Sequence, residues 1–131
     1  MSRFGMLTIV GAALVLLAPA ASRAALDHTS PIEAPSGLEI VVVEAPGCIY
    51  CHLFRRDVWP TYQSSQRAKT VPMKFIDLNS ATVEDLQLSG PIESVPTVLV
   101  LLRNQEVGRI PGYIGPEGFF HSIERLLAAA P

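Results

Sequence analysis

The chain of 131 residues is long enough for one domain and leaves no room for a second. With 49% hydrophobic and 17% charged residues it can bury a core, which excludes a disordered chain. A formal charge of −2 argues against nucleic acid as a partner, which calls for an excess of basic residues.

Residues 1–24 read as a secretory signal peptide. Arg3 supplies a positive start, and Met6 to Leu17 is an apolar run. Ala18-Pro19-Ala20 breaks that run, and Ser22-Arg23-Ala24 offers small residues to a signal peptidase. Cleavage is expected after Ala24, with Ala20 as the alternative. The run is shorter than the ~20 apolar residues of a spanning helix, which weighs against an uncleaved anchor. Losing Arg3 and Arg23 from the ten basic residues leaves eight Lys and Arg against twelve Asp and Glu, a net charge of −4.

Residues 25–37 are rich in Pro and Ser and read as a polar tether before a domain over 38–131. Leu38 to Glu44 reads as a strand, and its run of β-branched residues fits burial on both faces of a sheet. Ala45-Pro46-Gly47 is a turn. From Ile49 to about Gln66 a helix is expected, with Leu53, Trp59 and Tyr62 on its apolar face, and Pro60 should kink or interrupt it. Val71 to Leu78 reads as a second strand. Asn79-Ser80 caps a short helix over Ala81 to Leu88.

Thr97 to Leu102 is a third strand. Arg103 to Glu106 turns it into a fourth over Val107 to Ile110. Pro116 suits the first turn of a final helix to Ala130, with Phe119, Ile123, Leu126, Leu127 and Ala130 as its stripe. The order β-α-β-(α)-β-β-α implies an α/β fold, a mixed four-stranded sheet with helices on both faces. With the last helix packed on that sheet, a monomer is expected.

The only two cysteines, Cys48 and Cys51, stand three apart. A disulfide between them closes a very short loop and adds little stability. In an exported chain such a pair reads as a reactive centre. Cys48 arrives where a buried strand meets a helix N-terminus, whose free N–H groups and dipole favour a thiolate. Cys48 is therefore the expected attacking thiol. Cys51, one turn along and more sheltered, is the expected resolving thiol.

The strand, the Cys48-Ile49-Tyr50-Cys51 helix and a Val95-Pro96-Thr97 step before the terminal hairpin together resemble the thioredoxin superfamily, over roughly residues 36–131. The resemblance implies that the Val95–Pro96 bond is cis and lies beside the cysteines. It also implies that the Val95 backbone pairs with a bound protein substrate, with Tyr50 on the rim of the same site. Four positions depart from thioredoxins. Gly47 replaces a Trp, Ile49-Tyr50 replaces Gly-Pro, and Val42 replaces a buried acid. Glu44 could take over that acid's proton transfer, or stand as a solvated charge at the strand end. The stretch from Gly47 to Val58 and the ending Ile110 to Phe119 are similar to the SoxS proteins of sulfur-oxidation operons. That similarity implies a periplasmic reductase of a SoxY-like sulfur carrier, with a membrane thiol transporter as electron donor. It implies no cofactor. The spacing does not set electron direction, since potentials span about −270 to −120 mV with the same motif.

The same residues also fit C-x-x-C-H, the signature of c-type haem attachment, with His52 as an axial ligand. The β-branched strand before the motif, the strand-like setting of Met73 and the Val-Pro-Thr hairpin count against an all-α cytochrome. A thioredoxin fold kept only for binding is the other alternative. Two cysteines with scattered His28, His52 and His121 do not make a metal site. Arg55 and Arg56 are read as surface charges that could also lend positive potential to the cysteine pair.

Overall fold

The structure, a computed structural model, describes residues 37–131. The expected signal peptide over 1–24, its cleavage sites, His28 and the tether up to residue 36 lie outside the described residues.

Four strands form one sheet in the order β2-β1-β3-β4. They are β1 (Leu38–Glu44), β2 (Met73–Asp77), β3 (Thr97–Leu102) and β4 (Gln105–Pro111). β1 runs parallel to β2 and antiparallel to β3, and β3 runs antiparallel to β4. Alternation along the central strands divides the core in two. Ile40, Val42, Val98 and Val100 face one side, where Phe54, Tyr62, Phe119, Ile123 and Leu127 cover them. Val41, Val43, Leu99 and Leu101 face the other, under Leu86 with Val83, Ile92 and Val95 at its margin. The first face is closed by helices. The second is closed by a single helical turn and an irregular segment, residues 86–95.

The expected long helix after the cysteines is broken into α1 (Ile49–Asp57), α2 (Trp59–Gln63) and α3 (Arg67–Thr70). Pro60 accounts for the break between α1 and α2, because it has no N–H for the carbonyl four residues back and its ring crowds that carbonyl. The break is short. Val58 N–H still bonds Phe54 O at 2.9 Å, and Tyr62 N–H bonds Val58 O at 3.0 Å. Cys51, Phe54, Val58 and Tyr62 thus form one buried stripe at helical spacing. Of the residues expected on the apolar face, Tyr62 is buried, whereas Leu53 and Trp59 are only partly buried and their neighbours Phe54 and Val58 are core. Phe54 meets Phe119 edge-on at 5.2 Å between ring centres, joining α1 to α5 (Gly115–Ala129). The stripe of α5 lies where its periodicity placed it, with Phe119, Ile123 and Leu127 buried.

Three further boundaries moved. β2 starts at Met73, since Val71 N–H is used by Arg67 O and Pro72 has none to give. The helix after Ser80 is one turn, α4 (Ala81–Glu84). It stops because the backbone of Gln87 bridges to β4, giving its N–H to Asn104 O and taking that of Glu106. The hairpin turn is two residues rather than four. Arg103 and Asn104 both have positive φ, 49° and 72°, the signature of a tight turn whose twist matches its strands. β4 therefore begins two residues earlier than expected. Among the described residues, no helix is long and apolar enough to cross a membrane.

Candidate active site

The central strand β1 delivers the chain to the end of the sheet, and Ala45-Pro46-Gly47 turns it into α1. Gly47 sits at φ +73°, a conformation that side chains disfavour. A Cβ there would meet nothing within 4 Å, so it is backbone shape that makes glycine the fitting residue. Cys48 is then the N-cap of α1, in extended conformation. Its sulfur accepts the backbone N–H of Cys51 at 3.1 Å. This is the place a serine or aspartate oxygen takes at ordinary helix starts. The helix dipole and that N–H both stabilise negative charge on Cys48 Sγ. No acidic residue in the first turn opposes them.

The two sulfurs are joined as a disulfide, with Cα atoms 5.3 Å apart. Their exposure differs. Cys51 is 4% exposed, and Cys48 is only partly covered. Beside them the Val95–Pro96 bond is cis, and Pro96 is buried. Val95 O lies 3.6 Å from Cys48 Sγ, within reach of a thiol proton when the pair is reduced. Thr97 anchors this corner, its hydroxyl donating to Ser94 O at 2.6 Å from a buried position. Ile49 and Tyr50 project into solvent, 63% and 56% exposed. Large apolar groups this open, next to a reactive sulfur, suit a protein surface rather than a buried small molecule.

Glu44 and Arg55 settle into one another. Arg55 Nε and Nη2 donate to the two Glu44 oxygens at 2.8 and 2.6 Å, and the guanidinium lies 3.8 Å over the Phe75 ring. The bond to Glu44 raises the Arg55 pKa. Both residues, with Cys48, Cys51 and His52, line a small concavity of about 210 Å³. Arg56 pairs with Asp57, which also accepts a 2.9 Å bond from Tyr113 Oη. Arg56 and Tyr113 hold the Asp57 carboxyl below its usual range. Neither arginine is thus a free cation lending charge to the cysteines, and Glu44 is not a free strand-end carboxylate. These pairings join residues far apart in the chain, or neighbours whose rotamers decide, and nothing in the sequence spacing marks them. His52 and His121 are exposed on their helices. A larger concavity of about 790 Å³ lies between β4 and α5, away from the sulfurs.

Residues 36–127 match the family model of the thioredoxin-like domain. The chain belongs to the thioredoxin-like family. With the Cys48–Cys51 pair at its helix start, it is a protein thiol–disulfide oxidoreductase. Among solved structures it is similar to the reduced periplasmic thioredoxin SoxS from Paracoccus pantotrophus. That match has 26% identity and a TM-score of 0.65, and covers 70% of this chain and 96% of that one. Thioredoxins share the fold at lower identity. One from Malassezia sympodialis has 13% identity and a TM-score of 0.57, covering 73% of this chain and 82% of that one. Oxidised mitochondrial thioredoxin 3 from Saccharomyces cerevisiae has 15% identity and a TM-score of 0.53, covering 70% and 81%. No curated protein sequence matches the chain. The thioredoxin-like domain, with Cys48 and Cys51 joined to each other, supports a thiol–disulfide oxidoreductase against the haem reading of Cys48 to His52.

Proposed function

We propose that the chain is an exported, periplasmic reductase of a partner protein in sulfur oxidation, with Cys48 attacking and Cys51 resolving. The observation that carries the assignment of roles is the asymmetry of the two sulfurs: Cys48 is reachable at the helix cap, and Cys51 is buried behind it. In the dithiol state the Cys48 thiolate attacks one sulfur of a partner disulfide or mixed disulfide. A Cys48–partner disulfide forms and the other partner sulfur leaves as a thiolate. Cys51, losing its proton, then attacks Cys48 Sγ and expels the second partner sulfur. Two electrons have passed to the partner, and the protein is left with the Cys48–Cys51 disulfide. A membrane thiol transporter would return two electrons to that disulfide.

The partner strand would lie along the Val95 backbone, against Pro96, with Tyr50 as its contact on the rim. The exposed Tyr50 and the short distance from Val95 O to Cys48 Sγ support this placement. The periplasmic setting rests on the N-terminal signal read from residues 1–24 and on the likeness to a periplasmic thioredoxin. A SoxY-like sulfur carrier is the partner that the SoxS resemblance suggests.

Cys51→Ser tests the roles. It is expected to accumulate a mixed disulfide between Cys48 and a periplasmic partner, released by dithiothreitol. Loss of trapping in Cys48→Ser is the control. A Cys51→Ser protein that captures nothing would favour a thioredoxin fold kept for binding alone.

A further inference from the structure

The segment that carries Val95 has no regular secondary structure, yet it must hold a backbone edge against Cys48. Its support comes from β4. In the β3–β4 ladder Leu101 pairs with Glu106, Val100 with Gly108 and Leu99 with Arg109. Val107 is the extra residue of a β-bulge. On a regular strand, positions three apart point to opposite faces. The bulge cancels that alternation. Glu106 and Arg109 both stand opposite leucines of the second core, on the face that residues 86–95 cover.

There the two side chains lock together and onto the segment. Arg109 Nε and Nη2 donate to the two Glu106 oxygens, each at 2.6 Å. Arg109 also donates to Pro91 O at 2.8 Å, Gly90 O at 3.0 Å and Ser89 Oγ at 3.5 Å. Glu106 accepts the Ser89 N–H at 2.8 Å. The Glu106 side chain is 3% exposed, so its charge depends on these partners. The rest of the segment is tied by Ile92 and Val95 against the core and by Thr97 to Ser94 O.

We propose that Arg109 and Glu106 are positioning residues for substrate docking, with the β4 bulge as the device that aims them at the Ser89–Pro91 backbone. The inference rests on the reading of Val95 as the edge that pairs with a protein substrate. It separates two parts of the reaction. Attack by Cys48 on a small disulfide needs only the helix cap. Attack on a protein disulfide also needs the Val95 edge in register, where displacement by a fraction of an ångström is costly.

The test compares two substrates on the full chain: insulin, reduced with dithiothreitol as electron source, and a small symmetric aryl disulfide. Arg109→Ala is expected to raise KM for insulin about tenfold with kcat within about twofold, and to leave the aryl disulfide rate within about twofold. Glu106→Gln is expected to act in the same direction. Arg109→Lys keeps the charge without the fork, and is expected to recover part of the loss. If Arg109→Ala does not fold, Glu106→Gln and Arg109→Lys carry the same comparison. An insulin KM unchanged in the folded variants overturns the inference alone. So does a parallel fall with both substrates, which would mark a general structural role. A parent protein that reacts with the aryl disulfide but never reduces insulin overturns the docking reading of Val95, and this inference with it.

Discussion

The two sides of the candidate site are built in opposite ways. On the Cys48 side everything that matters lies within eight residues, Glu44 to Cys51: a strand end, a turn closed by Gly47, a capping sulfur and the N–H that it accepts. On the Val95 side the geometry is assembled from β4, from the Ser89–Pro91 backbone and from a hydroxyl on Thr97. The first arrangement fixes reactivity through local backbone dipoles, which survive changes elsewhere in the fold. The second fixes a surface through long-range contacts, which single substitutions can loosen. Chemistry and recognition in this protein are therefore expected to fail separately.

The largest effect belongs to the local side. Cys48→Ser removes the nucleophile, and disulfide reduction is expected to fall by at least about 10³-fold with the melting temperature nearly unchanged. Residual turnover near the parent level would break the assignment. Next comes acid. Glu106, bonded to Arg109, has its pKa lowered from 4.5 to about 2. In the unfolded chain it titrates near the ordinary value, so the unfolded state takes up the proton first. The stability that Glu106 contributes is thus complete above pH ~4.5 and is lost as pH falls toward about 2. Denaturant unfolding of the parent and Glu106→Gln should converge across that window. At neutral pH the variant is expected to be less stable by about 2 kcal/mol. A constant gap between the two proteins down to pH 2 would contradict this.

Smaller still is Thr97→Val, which leaves Ser94 O without its donor. A loss of about 1 kcal/mol by thermal denaturation is expected, with a rise in KM for a protein disulfide. Equal stability and equal KM would show that Ser94 O has no need of the hydroxyl. The smallest effect is expected from Glu44→Gln. Its carboxylate is committed to Arg55 at the protein surface, and such pairs contribute about 0–1 kcal/mol. Turnover should stay within about threefold of the parent, with the same pH profile. A loss beyond tenfold, with a shifted profile, would mean that Glu44 has inherited proton transfer from the acid that Val42 replaces.

The contrast also explains what could be read from the sequence. β1, β3 and the stripe of α5 were legible because burial on both faces, or on one face, leaves a period in the residues. The placement of Cys48 followed from a strand, a turn and a helix in immediate succession. Pro60 announced a break in the helix. The apolar face of that helix departs from its expected residues at Leu53 and Trp59, because Trp59 outweighs Val58 on hydrophobic size while packing at the margin against Phe75. The end of α4 and the start of β4 depend on Gln87 pairing with a strand almost twenty residues later, and no local preference encodes that. The Glu106–Arg109 clamp was hidden for a sharper reason. At a spacing of three on a strand the two side chains read as opposed, and only the bulge at Val107 brings them together.

The direction of electron flow is the claim on which the proposed function turns. Equilibrating the Cys48–Cys51 pair against glutathione buffers of graded ratio measures it directly. The account expects a potential in the reducing part of the superfamily's range, between about −270 and −200 mV. A value near −120 mV would make the disulfide a strong oxidant and contradict a reductase.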